Sequence, residues 1–252
     1  MMEWLIPADV GLAASVFLIA LSAATSFITA AAGIGGGIIL IAVMAVLMPA
    51  HALIPVHGVV QIGSNAGRAA IMIRGVEWRI IALFCLGSLL GAAIGGLTVV
   101  RLPPAVLNIG LACFILWSVW GPSVSAPGRF KVIITGVFSS FLTMFFGATG
   151  SFVSAMVKSM RLGRIEHVAT HSACMVAQHT IKVFAFGLLG FHYGPYAGLV
   201  VAMVLSGFLG TVVGKHVLVK MNDRTFHRVI SVILSLLALR LLYVGLSLLD
   251  LF

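Results

Sequence analysis

Acidic side chains are almost missing from this sequence. Its 252 residues hold six Asp and Glu against fifteen Lys and Arg, and charged residues of both signs make up only 8%, where a soluble domain carries roughly 25%. So little charge excludes an ordinary water-soluble globule. The six acids, Glu3, Asp9, Glu77, Glu166, Asp223 and Asp250, all fall at termini or near the ends of apolar runs. A path for a cation or a hard metal needs anionic oxygen at depth, so their placement disfavours one. Cysteine is scarce too. Cys85, Cys113 and Cys174 stand singly in apolar runs without CxxC spacing, which points to packing rather than to disulfides or thiolate metal sites. There is no Walker motif to drive transport with a nucleotide, and no nucleophile and base pair that would make an enzyme. The segment MMEWLIPADVGL carries no positive charge ahead of its apolar stretch, so no signal peptide is expected.

What is present is grease. Hydrophobic residues make up 61% of the chain and the mean hydropathy is +1.20. Apolar runs cover residues 10–32, 35–48, 51–73, 79–100, 105–120, 132–146, 151–157, 167–191, 195–219 and 225–249. Most reach the roughly 17–25 residues that cross a bilayer as a helix, and strand alternation is absent, which disfavours a barrel. The expected fold is an all-α polytopic membrane protein. The net charge of +9 is spread thinly over short loops; that is how orientation signals are distributed, and nucleic acid is not an expected partner.

Glycine interrupts this pattern. TAAAGIGGGIIL, residues 29–40, places Gly33, Gly35, Gly36 and Gly37 within five positions, and each interior glycine weakens a helix by roughly 0.8–1 kcal/mol against alanine. A helix from residue 10 to 48 would also run about 58 Å, nearly twice the hydrocarbon thickness, so the chain must break here. The break recurs. At an offset of 114, SFITAAAGIGGGI aligns with SFLTMFFGATGSF, pairing Gly33 with Gly147, Gly36 with Gly150, and further on His57 with His171, Asn65 with His179 and Arg68 with Lys182. After a five-residue slip, Gly87, Gly91 and Gly95 meet Ser206, Gly210 and Gly214, and Arg101 meets Lys220; glycines four apart on long helices are expected to serve packing. Two repeats follow, residues 1–121 and 131–252, joined by a linker at 122–130.

Charge placement sets their orientation. With an odd number of crossings per repeat and the N-terminus outside, Arg74, Arg79, Arg129, Lys131, Lys158, Arg161, Arg164, Lys215, Lys220, Arg224 and Arg228 lie inside and only Arg101 outside. An even layout spoils that asymmetry, so the positive-inside rule favours inverted repeats. Five spans per repeat, or a glycine-broken re-entrant hairpin plus three transmembrane helices, both satisfy it. The hairpin is preferred because residues 151–157 are too few to cross.

Broken helices at membrane depth survive only where protein or water satisfies the freed backbone groups. Helices restarting at Gly35, Gly36 and Gly37, and at Thr149, Gly150 and Ser151, would turn N-terminal N–H groups toward the midplane, where they favour an anion. Two polar stripes accompany them: His57, Gln61, Asn65 and Arg68 on HALIPVHGVVQIGSNAGRAAIMI, and His171, Gln178, His179 and Lys182 on HVATHSACMVAQHTIKVFAFGLL. Their spacing of mostly three and four puts each set on one helical face, and cations within spans point to function. These fourteen residues are the expected anion site, with no cofactor and no bound metal; His167, His171 and His179 as a transition-metal site is a weaker alternative.

The segments AAGIGGGIILIAV and PVHGVVQIGSNAGRA, with their degenerate copies FFGATGSFVSAMV and THSACMVAQHTIK, resemble the sulfite exporter TauE/SafE family. The resemblance covers nearly the whole chain and both repeats. It implies seven or eight transmembrane segments, a bacterial inner-membrane location, and outward movement of sulfite, sulfoacetate or a related organosulfonate. The expected function is therefore a secondary transporter of a small anion working by alternating access at a midplane site, with a passive anion channel or a histidine-based metal transporter as alternatives.

Overall fold

A computed structural model of the protein describes residues 6–32, 35–99, 103–122, 130–217 and 223–249. Gly33, Arg101, Arg129, Lys220 and most of the 122–130 linker lie outside the described residues. Within them the chain folds into ten α-helices: α1 Leu12–Ala32, α2 Gly36–Leu47, α3 Ala50–Ile71, α4 Trp78–Val99, α5 Pro104–Trp120, α6 Lys131–Phe146, α7 Gly150–Lys158, α8 Arg164–Leu188, α9 Ala197–Val217 and α10 Asp223–Ser247. Each begins and ends within three residues of an apolar run.

Length and polarity sort these helices. Leu12–Ala31, Trp78–Thr98 and Gly194–Gly214 are long and apolar enough to cross a membrane. Gly36–Leu47, Pro104–Trp117, Lys131–Phe146 and Leu234–Ser247 are apolar but shorter. The 12-residue α2 extends about 18 Å and the nine-residue α7 about 14 Å, each well short of the ~30 Å core. By contrast α3 and α8 are long, at 22 and 25 residues, but polar on one side, because they carry the two stripes.

At both breaks the chain doubles back. Gly35, at φ 106°, and Gly147, at φ 74°, occupy backbone conformations that a side chain disfavours. After the first turn the Gly36 N–H meets Thr29 Oγ1 at 3.1 Å, and after the second Thr149 Oγ1 lies 2.9 Å from Ser139 Oγ, so α2 and α7 return along α1 and α6.

Helix pairing is reciprocal. α1 packs on α9 and α6 on α4; α3 packs on α8; α4 reaches α8 as α3 reaches α9; and α5 packs on α10. These six pairings map onto one another when α1–α5 are exchanged in order for α6–α10. Close approach explains the strongest pairs: a Cβ on Gly91 would sit 2.0 Å from the Val137 carbonyl oxygen, and one on Gly210 2.0 Å from that of Ala23. The glycines four residues apart thus serve contact between helices.

Directions follow from the same contacts. α4 and α6 run parallel, Gly87 over Ile133 and Gly95 over Met144, as do α1 and α9, Gly210 over Ala23 and Gly214 over Phe27. α3 and α8 run antiparallel, since Gly58 approaches Val183 while Gly75 approaches Ile165. Arg74, Arg79, Lys131, Lys158 and Arg161 therefore gather at the end where α3 finishes and α4, α6 and α8 begin. At the opposite end Tyr196 donates to Asp9, with His51 Nε2 3.5 Å from the same hydroxyl.

Candidate functional site

A cavity of about 210 Å³ lies where the two breaks face α3 and α8. Drug-sized ligands occupy roughly 300–1,000 Å³, so this space suits something smaller. Gly35, Gly37 and Ile38 reach it from the first break; Ala148, Gly150 and Ser151 reach it from the second. The α3 stripe contributes His57, Gln61, Asn65 and Arg68, and α8 contributes His171, Met175 and His179. Among the described residues, no carboxylate lines it.

Each stripe is anchored to a break by its leading histidine. His57 Nε2 is 3.0 Å from the Gly37 carbonyl and His171 Nε2 is 3.1 Å from that of Gly150. A carbonyl only accepts, so in both rings Nε2 carries hydrogen and donates. The N-cap residues of the restarted helices give no side-chain cap: Gly35 has no side chain to cap α2, whose first N–H is met by Thr29 instead, and Thr149 makes no cap bond to α7. Their N-terminal backbones at Gly37, Ile38, Gly150 and Ser151 border the cavity, giving it the positive ends of two helix dipoles.

Arg68 is the cation of this site. It is 3% exposed, so it is buried and does not extend to headgroups. Its guanidinium donates to Asn65 Oδ1 at 2.8 Å and to Ser64 Oγ at 3.2 Å. Asn65 in turn donates to Gln61 Oε1 at 3.1 Å and to the Gln61 carbonyl at 2.8 Å. The stripe thus holds a guanidinium in place through neutral partners, leaving its charge uncompensated by any acid in the cavity.

Four expected residues do not reach the lining. Gly36 is packed against α1, where a Cβ would lie 1.9 Å from the Thr25 carbonyl oxygen. Thr149 and Gln178 bond to each other at 2.6 Å, and both contact Ser139, with Gln178 Oε1 accepting from its hydroxyl at 3.0 Å; the trio pins α7 to α6 and α8. Lys182 is fully buried and donates to the Gly147 carbonyl at 3.3 Å, one residue behind Ala148 in the cavity wall. Sequence reasoning in turn missed Thr29, Val119, Ser231 and Leu234, which also line the cavity. Thr29 carried a signal, aligning with Thr143 at the offset of 114; Ser231 is one of three serines in α10 and nothing in the sequence set it apart. Among the described residues, no three His, Cys, Asp or Glu side chains come together as a metal site.

Apolar helices wrapped round a buried polar cavity, with a guanidinium inside and two helix N-termini beside it, define an integral membrane protein of the transporter class. The chain belongs to the sulfite exporter TauE/SafE family, whose description matches residues 18–241. Members of that family are membrane transporters of sulfur anions and not enzymes. No curated protein and no solved structure matches the chain.

Proposed function

We propose that the protein is a secondary carrier that exports a small sulfur oxyanion, sulfite or an organosulfonate, by alternating access. The observation that carries this reading is the buried Arg68, set in a cavity without carboxylates between two helix N-termini. Charge-assisted hydrogen bonds and helix N-termini are the common means of holding an oxyanion. Substrate binds at Gly35, Gly37, His57, Gln61, Asn65, Arg68, Gly150, Ser151, His171 and His179, while Gly36, Thr149 and Gln178 shape the site from behind.

The carrier is built from two oppositely oriented repeats, residues 1–121 and 131–252. Support comes from α3 and α8, which occupy matching positions in the duplicated sequence and pack antiparallel. Neighbouring equivalent helices that run antiparallel are related by an axis across them, which for a membrane protein lies in the membrane plane. The contacts are also reciprocal: His57 lies beside Lys182, and the equivalent pair, His171 and Arg68, is likewise within electrostatic reach. The basic end of the molecule faces the cytoplasm and the N-terminus lies outside. Arg68 and Val119, near the ends of α3 and α5 on that basic side, line the cavity, which supports a conformation that receives substrate from inside.

Purified protein tests the reading directly. Sulfite, sulfate and sulfoacetate are expected to raise the melting temperature, and taurine and Ni²⁺ are not. In liposomes, uptake of labelled sulfite should saturate and accelerate against a trans load of unlabelled anion. Stabilisation by nickel alone, or a flux that shows no counter-exchange, would remove the proposal.

A further inference from the structure

Two nitrogens at the back of the site are left over. His57 Nδ1 and His179 Nδ1 are both enclosed and without a hydrogen-bond partner, on rings that are 0% and 1% exposed. Buried polar atoms are paired almost throughout native proteins, so two orphans side by side call for an occupant. The rings meet edge to face with centroids 6.0 Å apart. His57 Nε2 has the Gly37 carbonyl at 3.0 Å and, more distantly, the Gln61 amide nitrogen at 3.3 Å; the nearer partner can only accept, so the ring donates to it and Nδ1 is left as the lone pair.

Lys182 completes the group. Its Nζ donates to the Gly147 carbonyl at 3.3 Å and has no second acceptor among the described residues. Gly147 is the C-cap of α6, the end of a helix that favours positive charge. The chain makes room for this lysine: a Cβ at Gly58 would lie 2.8 Å from Lys182 Cε. Facing the cluster, α3 brings His57 and Arg68 and α8 brings His171, His179 and Lys182. From α2, α6 and α7 the described residues bring carbonyls and hydroxyls but no acid.

We propose that His57, His179 and Lys182 form a proton-binding site that is linked to the anion cavity, so that a proton travels with each anion. The inference rests on the carrier reading above. With the cavity empty, an added positive charge among three bases beside Arg68 meets only repulsion, and no carboxylate offsets it. His57 and His179 both border the cavity, so an anion there supplies the missing counter-charge. A proton from solvent then bonds to a free lone pair, on Nδ1 or on Nζ. Linkage is reciprocal: the anion raises the affinity for the proton by the factor by which the proton raises affinity for the anion.

The probe is methanesulfonate, which does not titrate between pH 5.5 and 8.5, whereas sulfite itself does. Calorimetric titration of the full chain in detergent, in two buffers of different ionisation enthalpy, counts the protons taken up on binding. Expected is uptake approaching one proton per anion, and affinity that strengthens as pH falls by up to about tenfold per unit. The combined variant His57→Gln, His179→Gln, Lys182→Met, and Lys182→Met alone should the triple variant not yield folded protein, is expected to lose that uptake. Binding with no proton uptake and an affinity flat in pH overturns the proton site and leaves anion carriage standing; undiminished uptake in the variants overturns its assignment to these residues. Failure of methanesulfonate, sulfite and sulfoacetate alike to bind overturns the carrier reading beneath it.

Discussion

The two helix breaks are alike in backbone and differ in an instructive way. Both reverse the chain after a positive-φ glycine turn, and both give a carbonyl to a histidine of the adjoining stripe. Their chemistry differs. The first break has Thr29 against the Gly36 N–H and little else polar, and its partnered cation Arg68 lies in the cavity. The second is tied by the Ser139, Thr149 and Gln178 network, and its cation Lys182 is drawn behind the wall to Gly147. The shared feature is backbone geometry, which packing enforces, while the side chains take separate tasks.

The sharpest way to break this comparison is at its equivalent glycines. Gly36→Ala drives a Cβ to 1.9 Å from the Thr25 carbonyl oxygen and 2.2 Å from Thr29 Oγ1, an overpacking expected to cost about 3 kcal/mol or more. Little monodisperse protein should survive size exclusion. Gly150→Ala meets nothing nearer than His171 Nε2 at 3.6 Å and should fold as the parent does. Equal damage at both positions would mean that the two breaks are packed alike.

Next in size is the pair of cations. Arg68→Gln keeps a hydrogen-bonding side chain beside Ser64 and Asn65 but removes the charge, and a hydrogen bond to a charged group is worth about 1.5–3 kcal/mol. Sulfite affinity should fall by roughly 10- to 100-fold in calorimetric titration, with the folded state retained. Lys182→Met should instead leave the melting temperature unchanged or a few degrees higher, because an apolar side chain replaces a buried amine that has one carbonyl as partner. A large loss of stability would show that Lys182 is a structural pin and not a spare base.

The smallest effect is expected far from the breaks, where α5 meets α10. Trp120 Nε1 donates to Ser235 Oγ at 2.8 Å in an exposed setting, so Trp120→Phe should cost about 0.5–1.5 kcal/mol at most and leave anion binding intact.

Much of this arrangement is legible in the chain before folding. Helix limits followed hydropathy because lipid offers no partner to an open backbone, which leaves little freedom in where a span can start. Gly35 and Gly147 announced the breaks, since only they tolerate the turn. Ten of the fourteen expected residues line the cavity, and the i, i+4 spacing of His57, Gln61 and Asn65 explains why: residues on one helical face share one neighbour. Spacing is silent on depth. Gln178 and Lys182 share a face with His171 and His179, yet one bonds to Thr149 and the other sits behind Gly147, because what covers a face comes from helices distant in sequence. Ser231 entered the cavity for the same reason.

By itself, then, the sequence determined that this is a membrane-embedded, twice-broken helical protein with cations and no acids at depth. Composition, period and glycine position are local quantities, and each acts through the chain's own backbone and its solvent. Only the tertiary structure decided which of the two paired cations faces the cavity, and that His57, His179 and Lys182 share one enclosed space. Those are contacts across α3, α6 and α8, set by close packing among helices that no run of neighbouring residues encodes.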